Sequence, residues 1–122
     1  LPDCRFGFQE EAVGYDIHVT RAASWRENEK DRIQAKEWRA LVEGDPELHP
    51  DPTSGEHAVR WRADDSPPGA WFDWYAGNVF TTNPDKAVLS KALQIASLLD
   101  AHVEGDDGTI YCGADHWRKL PV

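Results

Sequence analysis

The stretch Trp71-Phe72-Asp73-Trp74-Tyr75-Ala76-Gly77-Asn78-Val79-Phe80-Thr81-Thr82 decides how this chain folds. Two short runs rich in aromatic and β-branched residues flank Ala76-Gly77-Asn78, and Gly and Asn supply the positive φ that a tight hairpin turn demands. Strands are therefore predicted over Ala70 to Tyr75 and Asn78 to Thr82. Successive side chains of a strand point to opposite faces, so Trp71, Asp73 and Tyr75 share one face and Phe72 and Trp74 the other. Both faces carry aromatic groups. One must line the core, and the other is left either covered or free to bind.

On the C-terminal side, Asn83-Pro84-Asp85 reads as a helix start: a side-chain cap, a proline where no N–H is needed, and an acid at the positive dipole end. Val88, Leu89, Ala92, Leu93, Ile95, Ala96, Leu98 and Leu99 give that helix a wide apolar stripe, which a sheet must cover, out to about Ala101. A last hairpin is predicted from His102-Val103-Glu104 through Gly105-Asp106-Asp107-Gly108 to Thr109-Ile110-Tyr111-Cys112.

On the N-terminal side, Ala58 to Arg62 is a third central strand candidate, set off from the hairpin by Asp64 to Gly69 with its Pro67-Pro68 pair. Tyr15, Ile17 and Val19 alternate with Asp16, His18 and Thr20, as one half-buried strand requires. Ala22 to Lys30 reads as a short helix or turn carrying Trp25. From Gln34, the spacing of Ala35, Trp38, Leu41 and Val42 marks an amphipathic helix stopped by Gly44 and Pro46, with a loop over Asp45 to Gly55. Trp25 and Trp38 are both expected in the core. Residues 1–13 have no clean period and read as an N-terminal arm, leaving 14–122 as a single α+β domain. The order of elements implies a mostly antiparallel sheet of about five or six strands with two main helices packed on one face.

A chain of 122 residues buries roughly two-thirds of its unfolded surface, enough for one real core. Mean hydropathy is low at -0.65, but six Trp supply large apolar side chains that argue against disorder. Thirteen basic against twenty-two acidic residues give a net charge of -9, which repels nucleic-acid phosphates and anionic lipid and favours a basic partner. No apolar run approaches the roughly 20 residues of a membrane span, and the start is not a charged-then-apolar leader, so a cytoplasmic protein is expected. Cys4 and Cys112 do not make a disulfide framework. A bond between them needs the arm to lie along the last strand, where Cys112 is expected to be buried.

Catalytic signals are absent from this pattern. None of the five histidines, at 18, 49, 57, 102 and 116, stands at a metalloprotease spacing. Asp115-His116 has no serine or cysteine motif to serve, and Gly105-Asp106-Asp107-Gly108 would put carboxylates where a phosphate should sit. No catalytic residue, metal ligand or cofactor is assigned, and the chain is read as a binding protein and not an enzyme. Its candidate partner-binding residues are Trp71, Asp73 and Tyr75, with the acidic loop and strand residues Asp64, Asp65, Glu104, Asp106 and Asp107. The rival readings are a small metal-dependent hydrolase, which needs His18, His102 or His116 to converge with carboxylates, and a regulatory or scaffolding domain.

Tyr15-Asp16-Ile17-His18-Val19-Thr20-Arg21-Ala22, the Glu37-Trp38 helix leading to Asp45-Pro46-Glu47-Leu48, the aromatic hairpin, Asn83-Pro84-Asp85 and Gly105-Asp106-Asp107-Gly108 form a distinctive set. Over residues 14–112 it resembles a group of small bacterial proteins that accompany polymorphic toxin systems as immunity proteins. The resemblance implies a protein that binds and neutralises a cognate toxin domain inside the producing cell. It carries over no catalytic residues.

Overall fold

The computed structural model describes residues 14–121. The expected arm over 1–13, with Cys4, lies outside the described residues. The fold is α+β, and the described residues form seven strands in one antiparallel sheet and two α-helices. In chain order the elements are β1 (Asp16–Thr20), α1 (Ala35–Gly44), β2 (Leu48–Pro50), β3 (Val59–Trp61), β4 (Trp71–Tyr75), β5 (Asn78–Thr82), α2 (Lys86–Leu98), β6 (His102–Gly105) and β7 (Ile110–Tyr111), then a 3-10 helix over Ala114–Lys119. The spatial order is β2-β3-β4-β5-β1-β6-β7, so the first strand lies between the central hairpin and the last one.

The strand beyond the expected number is β2, inside the stretch predicted as a loop. It is three residues long and forms one edge of the sheet, where a proline such as Pro50 is tolerated because the ladder does not need its missing N–H. The second strand of the central hairpin has the predicted bounds, Asn78–Thr82. Tyr75 pairs with Asn78, so the turn is Ala76-Gly77 alone, with φ of 51° and 91°, and Asn78 already belongs to β5. Gly77 also lies against the Arg32 stem, which a side chain there would strike, and its carbonyl accepts the Ile33 N–H at 2.9 Å.

The second helix starts two residues later than its sequence signal. Asp85 is the cap, its Oδ1 accepting the Val88 N–H at 2.9 Å. Asn83 instead turns the chain at φ 52° and accepts the Tyr15 N–H at 3.0 Å, tying the end of β5 to the start of β1. The helix closes at Leu98 and not at Ala101.

Strand register sorts the two faces of the sheet. Ile17 stands opposite Thr81 and Gly105, Val19 opposite Val79 and Val103, Val103 opposite Tyr111, and Val59 opposite Phe72. Ile17, Val19, Val59, Phe72, Val79, Val103 and Tyr111 form one buried cluster with Trp38 and Val42 of α1 and Leu89, Ala92 and Ile95 of α2. Both helices therefore supply the core on one face, as expected. Trp38 is 1% exposed and donates its indole N–H to the His57 carbonyl. Cys112 is exposed, not buried, because β7 ends one residue before it.

Charged ties close the helical side. The Arg21 guanidinium donates to both Glu37 oxygens at 2.9 and 2.8 Å and to the Leu99 carbonyl at 2.8 Å, joining the start of α1 to the end of α2. Arg21 and the Gln34 N–H hold the Glu37 carboxyl at about 2, against an ordinary value of 4.5. The Thr53 and Ser54 hydroxyls, with Arg60, hold Asp51 at about 2, against 3.8. A carboxyl depressed on folding stabilises the fold fully above its unfolded pKa, and that contribution is lost as pH falls through the folded value. The melting temperature is therefore expected to hold from pH 7 to about 4.5 and to drop between about 4.5 and 2. A calorimetric scan series across those values checks this, and a flat profile down to pH 2.5 would contradict it.

Candidate functional site

Among the described residues no helix covers the other face of the sheet, and register lines up its side chains. Asp73 stands opposite Phe80, Phe80 opposite His18, His18 opposite Glu104, and Glu104 opposite Ile110. On the neighbouring rows, Trp71 stands opposite Arg60 and Tyr75 opposite Asn78. Trp71, Asp73 and Tyr75 thus lie on the open face, while Phe72, 1% exposed, lies in the core. Tyr75 is 75% exposed; Trp71, Asp73 and Phe80 are half-buried.

The middle of this face is covered from within. The segment after β1 turns back over the sheet, so Trp25 lies here and not in the core. Its ring stacks on His18 with centroids 3.6 Å apart and planes within 5°. The Trp25 N–H donates to Glu104 at 2.9 Å, and Asn78 Nδ2 donates to the Trp25 carbonyl at 2.9 Å. Arg26 packs over the Trp25 ring and donates to the Asp106 carbonyl. The amphipathic spacing around Trp25 in the sequence did not reveal this, because its partner His18 comes from a strand rather than a helix.

Beside Trp25 the acids of the last hairpin are already engaged. Asp106 Oδ1 is 2.8 Å from His18 Nε2, and its Oδ2 accepts the Asp16 N–H at 3.0 Å. Asp16 in turn accepts the Thr82 hydroxyl at 2.7 Å. Asp107 accepts the Tyr15 hydroxyl at 2.8 Å and the Thr109 N–H at 3.1 Å. Ligand atoms of Asp16, His18 and Asp106 lie within 4.8 Å of one another, the one such grouping among the described residues. His102 and His116 do not join it; His116 Nδ1 instead accepts the Cys112 N–H at 3.0 Å. Asp64 and Asp65 are exposed in the turn after β3.

Two clefts open on this face and share Phe80. One, of about 410 Å³, runs along His18, Trp25, Tyr75 and Asn78. The other, of about 370 Å³, is lined by Asp51, Arg60, Trp71, Asp73 and Phe80. In the second, burial pushes the Asp73 carboxyl above the ordinary aspartate value, against the opposing pull of the Trp74 N–H and of His57. Among the described residues no lysine or arginine pairs with Asp73, whereas Arg60 Nε is paired with Asp51 at 2.9 Å.

A larger cleft, about 780 Å³, lies on the helical side between Arg21, Glu37, Asp45, Glu47 and Lys91. Its charges satisfy one another: Arg21 with Glu37, and Lys91 with Asp45 at 2.7 Å and Glu47 at 2.9 Å. Volume favours this cleft, but electrostatics favours the open face, where a half-buried carboxylate lacks a strong cation. Among the described residues no helix is long and apolar enough to cross a membrane. No protein-family model matches the chain, and no curated protein or solved structure matches it significantly.

Proposed function

We propose that this chain is an immunity protein that binds a basic toxin domain in the cytoplasm and neutralises it by occlusion, without catalysis. One observation carries the reading: the helix-free sheet face presents Tyr75, Trp71 and Phe80 around the Asp73 carboxylate, which has no lysine or arginine partner among the described residues. Tyr and Trp are the side chains enriched at energetically dominant interface positions, and a net charge of -9 speeds encounter with a basic partner.

Co-expression with the product of a neighbouring toxin reading frame tests this. Wild type is expected to restore growth and to co-purify with the toxin. The double variant Trp71→Ala, Asp73→Ala, folded by circular dichroism, is expected to lose both. Protection and co-purification at wild-type levels by that variant would sink the proposal.

A metal-dependent hydrolase is the second reading, favoured by the grouping of Asp16, His18 and Asp106. Their hydrogen bonds to one another and to Thr82 also account for the grouping as a structural network. Co-purification in the presence of EDTA separates the two: occlusion predicts a stable stoichiometric complex, and metal-dependent hydrolysis predicts none.

A further inference from the structure

The geometry points to a more specific role for the cleft beside Asp73: we propose that it receives one lysine or arginine side chain of the partner, the Asp73 carboxylate holding its charge and Trp71 and Phe80 packing its stem. This rests on the binding reading above and names the chemical group that the face recognises.

Among the described residues, no lysine or arginine balances Asp73 in the cleft. Asp51 is saturated, accepting from Arg60 Nε at 2.9 Å, the Thr53 hydroxyl at 2.8 Å and the Ser54 hydroxyl at 2.8 Å. Among the described residues Asp73 accepts one hydrogen bond, at Oδ1, from the Trp74 N–H at 2.8 Å. Its Oδ2 lies on the Gly55 side of the cleft, where an added Cβ would stand 3.6 Å from it. A half-buried carboxylate with an open oxygen is costly unless an ion pair or hydrogen bond satisfies it.

The walls match the same ligand. Trp71 and Phe80 sit edge-to-face, centroids 5.5 Å apart at 86°, so the cleft presents aromatic surface to an aliphatic stem and to a cation. At about 370 Å³ the cleft is near the lower end of small-ligand pockets, a size suited to one inserted side chain and not to a helix. Anions are disfavoured by the uncompensated Asp73. A hard metal ion is disfavoured as well, because Arg60 occupies the one other carboxylate.

The test needs no toxin. The full chain, with 15N-labelled backbone and tryptophan indoles, is titrated with n-butylguanidinium, with n-butylammonium and with the neutral isostere n-butylurea. Expected are saturable shifts for the two cations, centred on the Trp71 indole and the Gly55 and Asp73 amides. n-Butylurea is expected to bind at least about ten-fold more weakly, and Asp73→Asn to weaken the cations by about ten-fold. Equal binding of urea and guanidinium, unchanged affinity in Asp73→Asn, or shifts centred on another surface would overturn the proposal. The comparison of cation with urea on the wild-type chain stands even if Asp73→Asn folds poorly. Cation binding without toxin protection leaves this pocket standing and removes the immunity reading. Protection that depends on Trp71 and Asp73 without cation selectivity does the reverse.

Discussion

Lys91→Ala is expected to destabilise the protein by about 3 kcal/mol at pH 7, measured by urea unfolding. Lys91 sits on α2 with only 4% of its surface exposed, amid otherwise apolar neighbours on the helix stripe. Its ammonium reaches Asp45 at 2.7 Å and Glu47 at 2.9 Å, at the junction of α1 and β2. Glu47 also accepts the Trp61 indole N–H at 3.0 Å, so one lysine organises both the end of α1 and the edge of the sheet. Burial would raise the Asp45 carboxyl, but Lys91 and the Glu47 N–H outweigh it and hold it below the ordinary aspartate value. Trp61 and Lys91 likewise hold Glu47 low.

Removing the ammonium leaves two carboxylates facing each other across a gap. Breaking a buried pair costs about 3–5 kcal/mol, and the lower end applies because Glu47 is 44% exposed. Lys91→Met keeps the aliphatic stem and is expected to recover part of the loss. Both carboxyls have depressed folded values, so the benefit of the pair is full above about pH 4.5 and fades as pH falls through those values. The gap between Lys91→Met and wild type should therefore narrow on acidification. A loss under about 1 kcal/mol for Lys91→Ala at pH 7 would show that the tie is not what holds this corner.

Much of this architecture was legible because local period and global fold agree. Alternation fixed β1, the Gly77 turn fixed the central hairpin, and apolar spacing fixed both helices. What escaped was decided by pairing between distant segments. Nothing within Trp71 to Tyr75 tells which face is open, since each carries aromatic groups. Its neighbours decide it, with Val79 beside Trp74 and Phe80 beside Asp73. The short strand β2 was hidden by its prolines, and Trp25 by a stacking partner that only the folded sheet supplies. The use of Asp106 was equally invisible: β1 and β6 pair with His18 against Glu104, which carries Asp106 alongside Asp16 from 90 residues away. The acids that composition offered as a free negative surface turn out to be of two kinds. Glu104, Asp106 and Asp107 are tied to distant segments, and Asp73, among the described residues, accepts from its neighbour Trp74 alone.

Gly105→Ala is expected to cost about 3 kcal/mol, for a reason that lies across the sheet and not in the backbone of residue 105. Gly105 pairs with Ile17 on β1, and the Tyr15 ring folds across it, so an added Cβ would overlap the phenol. Close approach of this kind is what a glycine inside a strand permits. The Tyr15 hydroxyl donates to Asp107 at 2.8 Å, so the hydrogen of the 2.8 Å bond between Tyr15 and Tyr111 comes from Tyr111. Displacing the ring breaks both bonds and leaves the Tyr111 hydroxyl, on a residue 1% exposed, without its acceptor. It also frees Asp107, next to the Asp106 that holds His18, so the damage should spread to the open face. A double-mutant cycle isolates the cause. In a Tyr15→Ala background the clash is gone, and Gly105→Ala is expected to change stability by no more than about 0.5 kcal/mol. Equal costs in the two backgrounds would mean that the glycine serves the strand itself, and that Tyr15 is not the reason position 105 must be small.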